Sequence, residues 1–191
     1  PAIVSLNSRD TNGVLYKSKS RFSFSEEENL LGWKFLNSIE LDNCSHFICL
    51  NTRDDAYLKK YLGESNWDYH SYRNVDINNY RLAATYLAEK GYGVVRMGKA
   101  VENSFNVNNS RVFDYASSEY RCDFLDVWLM ANCLFCISNG TGLDSVGDIF
   151  RVPTVMVDFI PLTHLHTWQD AITLPKHLYW DRENTKELVL S

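Results

Sequence analysis

Apolar residues recur along this chain in two rhythms. Between Ser25 and Ile39 the pairs Leu30/Trp33, Leu31/Phe35, Trp33/Leu36 and Phe35/Ile39 stand three or four residues apart, the spacing that sets side chains on one helical face. Ser25 and Glu28 form a capping box ahead of them. The pattern predicts a helix over 26–39, and its wide apolar arc predicts extensive burial. Four other stretches are nearly continuous in apolar residues: HFICL from His46, GVVRM from Gly93, LFCIS from Leu134 and PTVMVDF from Pro153. Short runs of that kind read as strands covered on both faces.

Helical patterns fill the gaps. Asp76 is placed to cap a helix carrying Tyr80, Leu82, Ala83, Tyr86 and Leu87, with Gly91 closing it in the left-handed conformation that glycine adopts freely. Arg111 to Tyr115 follows an Asn-rich stretch. A further helix then runs through Phe124, Leu125, Val127, Trp128 and Leu129, capped by Asp123 or a residue just before it, and Gly142 to Arg151 makes a short one. Strand and helix alternate, which is the signature of an α/β fold: a Rossmann-like parallel sheet with helices on both faces. Residues 1–24 read as an irregular polar connection and 25–191 as a single domain, consistent with a chain of 191 residues.

Composition narrows the function. A formal charge of -5 argues against a nucleic-acid binder, whose affinity for phosphate backbones comes from Lys and Arg. No apolar window approaches the length of a membrane span and no signal peptide is visible, so the expectation is a cytoplasmic protein without a transmembrane segment. Five cysteines are an odd count, and Cys49, Cys133 and Cys136 sit inside apolar runs as reduced core thiols do. Cys133-x-x-Cys136 has zinc-like spacing but no second ligand pair beside it, and no metal is expected.

A parallel sheet of this kind places ligands at the carboxyl ends of its strands, and the candidate chemistry lies there. Arg53 follows HFICL, and its guanidinium offers a rigid fork of donors that matches a phosphate. After LFCIS, the loop Ser138-Asn139-Gly140-Thr141-Gly142, continuing to Asp144, combines two glycines with a helix start suited to a diphosphate. The stretch Trp67 to Asp76 is polar and aromatic; His70 is placed there as a general base or phosphate ligand and Arg73 as a neutralising charge, while a self-packed surface loop explains the same residues. Arg96, ending GVVRM, is expected to converge with Arg53 on one cleft. Asp123 and Asp126 share a helical face and can hold Arg121 or Arg96, or serve as cap and solvated side chain. His164 and His166 read as loop residues.

These residues also carry a resemblance. FICLNTRDDAYL, WDYHSYRNVDINNY, GYGVVRMG, DFLDVWLMANCLFCISNGTGLDS and FRVPTVMVDFIPL, in this order, resemble a family of bacterial glycosyltransferases associated with surface-polysaccharide genes. The resemblance implies the carboxyl-terminal, donor-binding half of a GT-B enzyme, in which two Rossmann-like halves face each other across a cleft. It implies that Arg53 and Gly140 to Gly142 contact the donor diphosphate, with His70, Tyr72, Arg73 and Arg96 lining the same cleft. Asn51 stands where an H-x-R-D pattern would have His.

The activity so implied is transfer of a sugar from a nucleoside-diphosphate sugar to a glycan or lipid-linked acceptor, without a metal or other cofactor. The protein would be cytoplasmic or peripheral at the inner membrane, with the acceptor domain expected in an amino-terminal region that this chain lacks. His70 and Asp54 are the candidate bases for the acceptor hydroxyl. Two other readings remain open: a non-catalytic nucleotide-sugar-binding module, and a GT-B-like sugar-nucleotide epimerase.

Overall fold

Six parallel strands form one sheet in the order β3-β2-β1-β4-β5-β6. They are β1 (Phe47–Asn51), β2 (Gly93–Met97), β3 (Val112–Phe113), β4 (Cys136–Ser138), β5 (Thr154–Phe159) and β6 (Ala171–Pro175). The computed structural model describes residues 12–63, 68–165 and 171–178. The remaining parts of the expected first segment and of the domain, with Trp67, His166 and Trp180, lie outside them. The chain winds outward from β1 through β2 to β3, then returns to start β4 on the other side of β1. The order therefore reverses between β1 and β4, the position at which Rossmann-like sheets open a crevice.

Among the described residues six α-helices accompany the strands: α1 (Val14–Lys17), α2 (Glu26–Ser38), α3 (Ala56–Tyr61), α4 (Arg81–Glu89), α5 (Asp123–Asn132) and α6 (Asp144–Phe150). Alternation along the strands divides the core in two. Cys49, Val95, Met97 and Cys136 face α2 and α5, meeting Phe35, Leu36, Leu125, Trp128 and Leu129. Ile48, Leu50, Val94 and Ile137 face the other way and meet Ile77, Tyr80 and Ala84. The expected sheet with helices on both faces is the observed fold.

Local signals place most elements. The capping box forms, with Ser25 N donating to Glu28 Oε2 at 2.7 Å and Glu28 N to Ser25 Oγ at 3.2 Å. Asp76 Oδ1 accepts from Asn78 N at 3.0 Å and starts a 3-10 turn, Ile77–Tyr80, that runs directly into α4. Gly91, at φ 92°, follows that helix. At α5 no side chain caps the start; Asp123 instead pairs with Arg121 and Lys99.

The structure differs from expectation at α2. Only Gly32, Phe35 and Leu36 are buried, while Leu30, Leu31 and Trp33 are 70%, 57% and 52% exposed. The cause is Gly32. The Trp128 indole lies so close over it that a Cβ there would stand 2.1 Å from the ring. This approach centres the contact line on Gly32 and turns the neighbouring apolar residues outward. Trp33 touches Trp128 only edge-on, at 5.2 Å between ring centroids. In the segment 1–24, the described part contains the helical turn α1 rather than wholly irregular chain.

The thiols of Cys49, Cys133 and Cys136 are buried and free, as expected. Among the described residues no group of three or more His, Cys, Asp or Glu side chains is disposed to hold a metal ion, and no helix is long and apolar enough to cross a membrane.

Gly32→Ala is expected to destabilise the fold by about 1–3 kcal/mol, the usual cost of overpacking. A lowered midpoint in urea with an unchanged slope would show it; an unchanged midpoint would mean that α2 is not clamped by Trp128.

Candidate functional site

The loops after β1 and β4 are joined by a network of polar side chains at the strand-order reversal. Its centre is Asp144, 4% exposed. One carboxylate oxygen accepts from Asn51 Nδ2 at 2.9 Å and Thr141 Oγ1 at 3.3 Å; the other accepts from Ser138 Oγ at 2.9 Å and Thr141 N at 2.7 Å. Asn51 Nδ2 also donates to Thr141 Oγ1. Burial raises the Asp144 pKa, against the opposing pull of the donors from Ser138, the Thr141 amide, Asn51 and the Thr141 hydroxyl.

Asn139 makes the second link. Its Oδ1 accepts from Arg53 N at 2.8 Å and its Nδ2 donates to Arg73 O at 3.0 Å, so one carboxamide joins the backbones of two arginines. Val75 N donates to Arg53 O at 3.1 Å, and Arg73 Nη2 donates to Gly140 O at 3.1 Å. Gly140 is required here: its φ is 93°, and a Cβ would meet the Phe159 ring at 3.0 Å and Arg73 Nη2 at 3.6 Å.

In front of this network opens a cavity of about 370 Å³. It draws on the β1 end and α3 (Arg53, Asp54, Tyr57), the β2 end (Lys99), α5 (Asp126) and the β4 end (Thr141, Gly142). The Arg53 guanidinium lies at this wall with no hydrogen bond or ion pair among the described residues, and its Nε is buried. Burial lowers its pKa and the neighbouring Arg73 charge lowers it further, with Asp55 and Tyr72 opposing. Arg73 Nε is likewise buried without an acceptor. Two guanidiniums repelling one another, neither paired with a carboxylate, form a locus of positive potential.

The structure thus gathers Arg53, Thr141 and Gly142 around one hollow, with Arg73 behind Arg53 and bonded to Gly140 rather than on the cavity wall. It does not bring every expected residue there. Ser138, Asn139 and Asp144 are buried behind the cavity wall with their polar atoms engaged internally, so they build the loop rather than face a ligand. Helix α6 has only seven residues, and the Thr141 amide ahead of it is taken by Asp144, which weakens the expected helix-start contribution.

Arg96 is the clearest correction. It is 0% exposed and its Nη1 donates to Asp114 Oδ1 and Asn103 O, both at 3.1 Å. Strand alternation turns Arg96 to the Val94 side, and Asp114, just past β3, captures it away from the cavity. Arg121, rather than Arg96, is held by Asp123 and Asp126, each at 2.7 Å.

Of the two candidate bases, Asp54 lines the cavity, but its oxygens accept from the backbone amides of Ala56 at 3.0 Å and Glu102 at 2.9 Å. His70 lies in a 3-10 turn, Asp68–Arg73, with its ring 4.0 Å from Tyr69 and outside the cavity wall. Tyr72, in the same turn, is exposed and likewise lies outside the cavity wall. Lys99, Tyr57 and Asp126 escaped the sequence reading as cavity residues. Lys99 was accessible to the same strand-end rule that singled out Arg53; Tyr57 was not, because α3 gave no distinct apolar period.

Comparison with solved structures identifies the fold. The glycosyl transferase family 9 protein from Veillonella parvula DSM 2008 superposes with a TM-score of 0.57 at 18% identity, over 81% of this chain and 42% of that one. The E. coli ADP-heptose LPS heptosyltransferase II gives 0.52 at 18% identity, over 82% and 45%. The chain spans less than half the length of either, and its architecture is the Rossmann-like one of GT-B glycosyltransferases. No family model and no curated protein matches the sequence.

Asp144→Asn provides a pH test of the network. A raised carboxyl pKa means that the folded state holds this proton more tightly than the unfolded chain, so Asp144 favours folding most at low pH and less as pH rises through the folded value. Thermal melts from about pH 4 to about pH 7 should show that component of the slope in the wild type and lose it in Asp144→Asn. Parallel curves would remove Asp144 as a buried titrating group.

Proposed function

We propose that this chain is the donor-binding half of a glycosyltransferase, holding the diphosphate of a nucleoside-diphosphate sugar at Arg53 and Arg73. The observation that carries this reading is the Arg53 guanidinium on the wall of a cavity at the β1/β4 reversal, with the Arg73 charge beside it and no carboxylate ion-paired to either among the described residues. In an acidic chain, two cations held together without carboxylate partners are best explained by an anion that completes them. A cavity of about 370 Å³ lies within the usual range for small-molecule sites, roughly 300–1,000 Å³. The fold shared with known glycosyltransferases makes a sugar nucleotide the favoured anion.

In this reading Arg53 and Arg73 stabilise the negative charge that grows on the diphosphate as the glycosidic bond breaks. Thr141 and Gly142 form the floor beside it. Ser138, Asn139 and Asp144 hold these groups in place. The acceptor is a glycan or a lipid-linked carrier, in keeping with surface-polysaccharide synthesis at the cytoplasmic side of a membrane, and a second domain supplies its site.

One observation favours a second reading, a nucleotide-sugar-binding module that does not catalyse alone. Neither candidate base is free at the cavity: Asp54 is engaged by two amides and His70 stands outside the wall. Under either reading a base must come from elsewhere for transfer to occur. Diphosphate release from a panel of sugar nucleotides, assayed with this chain and with a two-domain form, separates them.

Thermal shift tests the anion site directly. At a ligand concentration 100 times Kd, native-state binding adds about 2.7 kcal/mol, which for a chain of this size raises Tm by roughly 5–10 °C. Nucleoside diphosphates and their sugar conjugates should produce such a shift, and Arg53→Ala should abolish it while the ligand-free Tm stays within about 2 °C, as surface-side changes usually allow. An undiminished shift in Arg53→Ala would take Arg53 out of the site.

A further inference from the structure

Arg73 is presented to the proposed anion site at the end of a short 3-10 turn. The turn Asp68–Arg73 has 3-10 geometry, which is rarely stable in isolated pieces. Beyond the turn's own bonds, its described backbone links are Asn74 N to Ser71 O at 2.9 Å and Val75 N to Arg53 O at 3.1 Å. Repulsion between Arg53 and Arg73 works to push the turn away.

Three successive carbonyls at its end are nevertheless all occupied by side chains from distant strands. Arg73 O accepts from Asn139 Nδ2. The two flanking carbonyls accept from a single group: Lys176 Nζ lies 2.9 Å from Tyr72 O and 2.8 Å from Asn74 O. Lys176 is the first residue after β6, and its own amide donates to Phe159 O at 3.4 Å. Phe159 is the ring that abuts Gly140. No carboxylate pairs with Lys176 among the described residues, so its hydrogen bonds to these carbonyls are charge-assisted ones that carry no compensating anion.

We propose that Lys176 is a positioning residue of the anion site, an ammonium that ties the Tyr72–Asn74 backbone to the β5/β6 edge and so keeps Arg73 beside Arg53. This assignment rests on the reading that the two arginines receive a diphosphate. It places a determinant of affinity just past β6, a strand that contributes no residue to the cavity wall.

The test combines hydrogen–deuterium exchange with calorimetric titration of inorganic pyrophosphate, using the full chain. Lys176→Met keeps an aliphatic stem and removes the donors; Lys176→Gln keeps donors and removes the charge. In Lys176→Met the amides of Asn74 and Val75 should exchange roughly tenfold faster in the ligand-free protein, the scale of one lost charge-assisted hydrogen bond. Pyrophosphate affinity should fall by a similar factor, while amides of β1 and α5 keep their protection. Lys176→Gln should recover part of both losses.

Unchanged exchange in Lys176→Met overturns the brace. So does faster exchange with undiminished affinity. Equal loss of affinity in both variants with wild-type exchange would mean that the ammonium touches the anion itself, and overturns the positioning role. A wild-type chain that binds no pyrophosphate defeats the anion reading, and with it the purpose assigned to the brace, whereas the exchange data judge the brace alone.

Discussion

A buried carboxylate with four donors aimed at it governs the carboxyl edge of this sheet. Where strand order reverses, the chain leaving β1 and the chain leaving β4 turn in different directions, and nothing in the backbone ladder holds their ends together beyond Asn51 and Ser138. Asp144 draws both into one cluster through Asn51, Ser138 and Thr141. Its desolvation is costly in isolation, but the donors offset that cost only when the loops adopt this one arrangement, so the carboxylate selects a conformation as well as stabilising it. Asn139 extends the same order outward to Arg53 and Arg73. The shape of the cavity wall at this end is therefore set largely from beneath, by Asp144, Ser138 and Asn139, which do not line it.

The charge distribution follows a related division. The chain is acidic overall, with formal charge -5, yet positive groups collect around one end of the sheet: Arg53 and Arg73 at the reversal, Lys99 across the cavity, Lys176 behind the turn. Lys99 is balanced by Asp123 and stands near the Tyr61 ring. Arg96 is balanced by Asp114, an interaction that also ties the Asn103 carbonyl and, through Phe105 N at 2.7 Å from Asp114, pins the long excursion between β2 and β3. Among the described residues, Arg53 and Arg73 have no such carboxylate partner. Local concentration of this kind favours an anion at one point and leaves the rest of the surface indifferent to it.

Much of the architecture was readable from the chain because β1, β2 and β4 are buried on both faces, and β5 largely so, and thus appear as nearly continuous apolar runs. Ser25, Glu28, Asp76 and Gly91 marked helix ends through chemistry that acts within a few residues. What escaped depends on partners distant in sequence. Strand β6 lies at an edge and ends in Pro175, with alternating exposure, so it carries no apolar run. The outward face of α2 follows from Trp128, roughly a hundred positions along. Within the site, Arg53 and the Thr141-Gly142 pair were visible as strand-end residues. The position of Arg96 was visible but not its direction, which alternation and Asp114 decide. Ser138, Asn139 and Asp144 were recognised as loop chemistry, and only the folded contacts show that they point inward. Lys176 had no signal at all, since its role consists of two carbonyls over a hundred residues away.

The cysteines provide an internal record of core opening. Burial raises the pKa of Cys49 and Cys136 well above the ordinary thiol range, and all three core thiols sit between α5 and the central strands, while Cys122 is exposed at the α5 start. A thiol-directed alkylating reagent therefore meets an exposed Cys122, a half-buried Cys44 and three buried core thiols in the same molecule. Modification at Cys122 follows ordinary solvent access, and modification at Cys49, Cys133 or Cys136 can proceed only during excursions that lift α5 from the sheet, so the ratio of the two rates measures how often that layer separates.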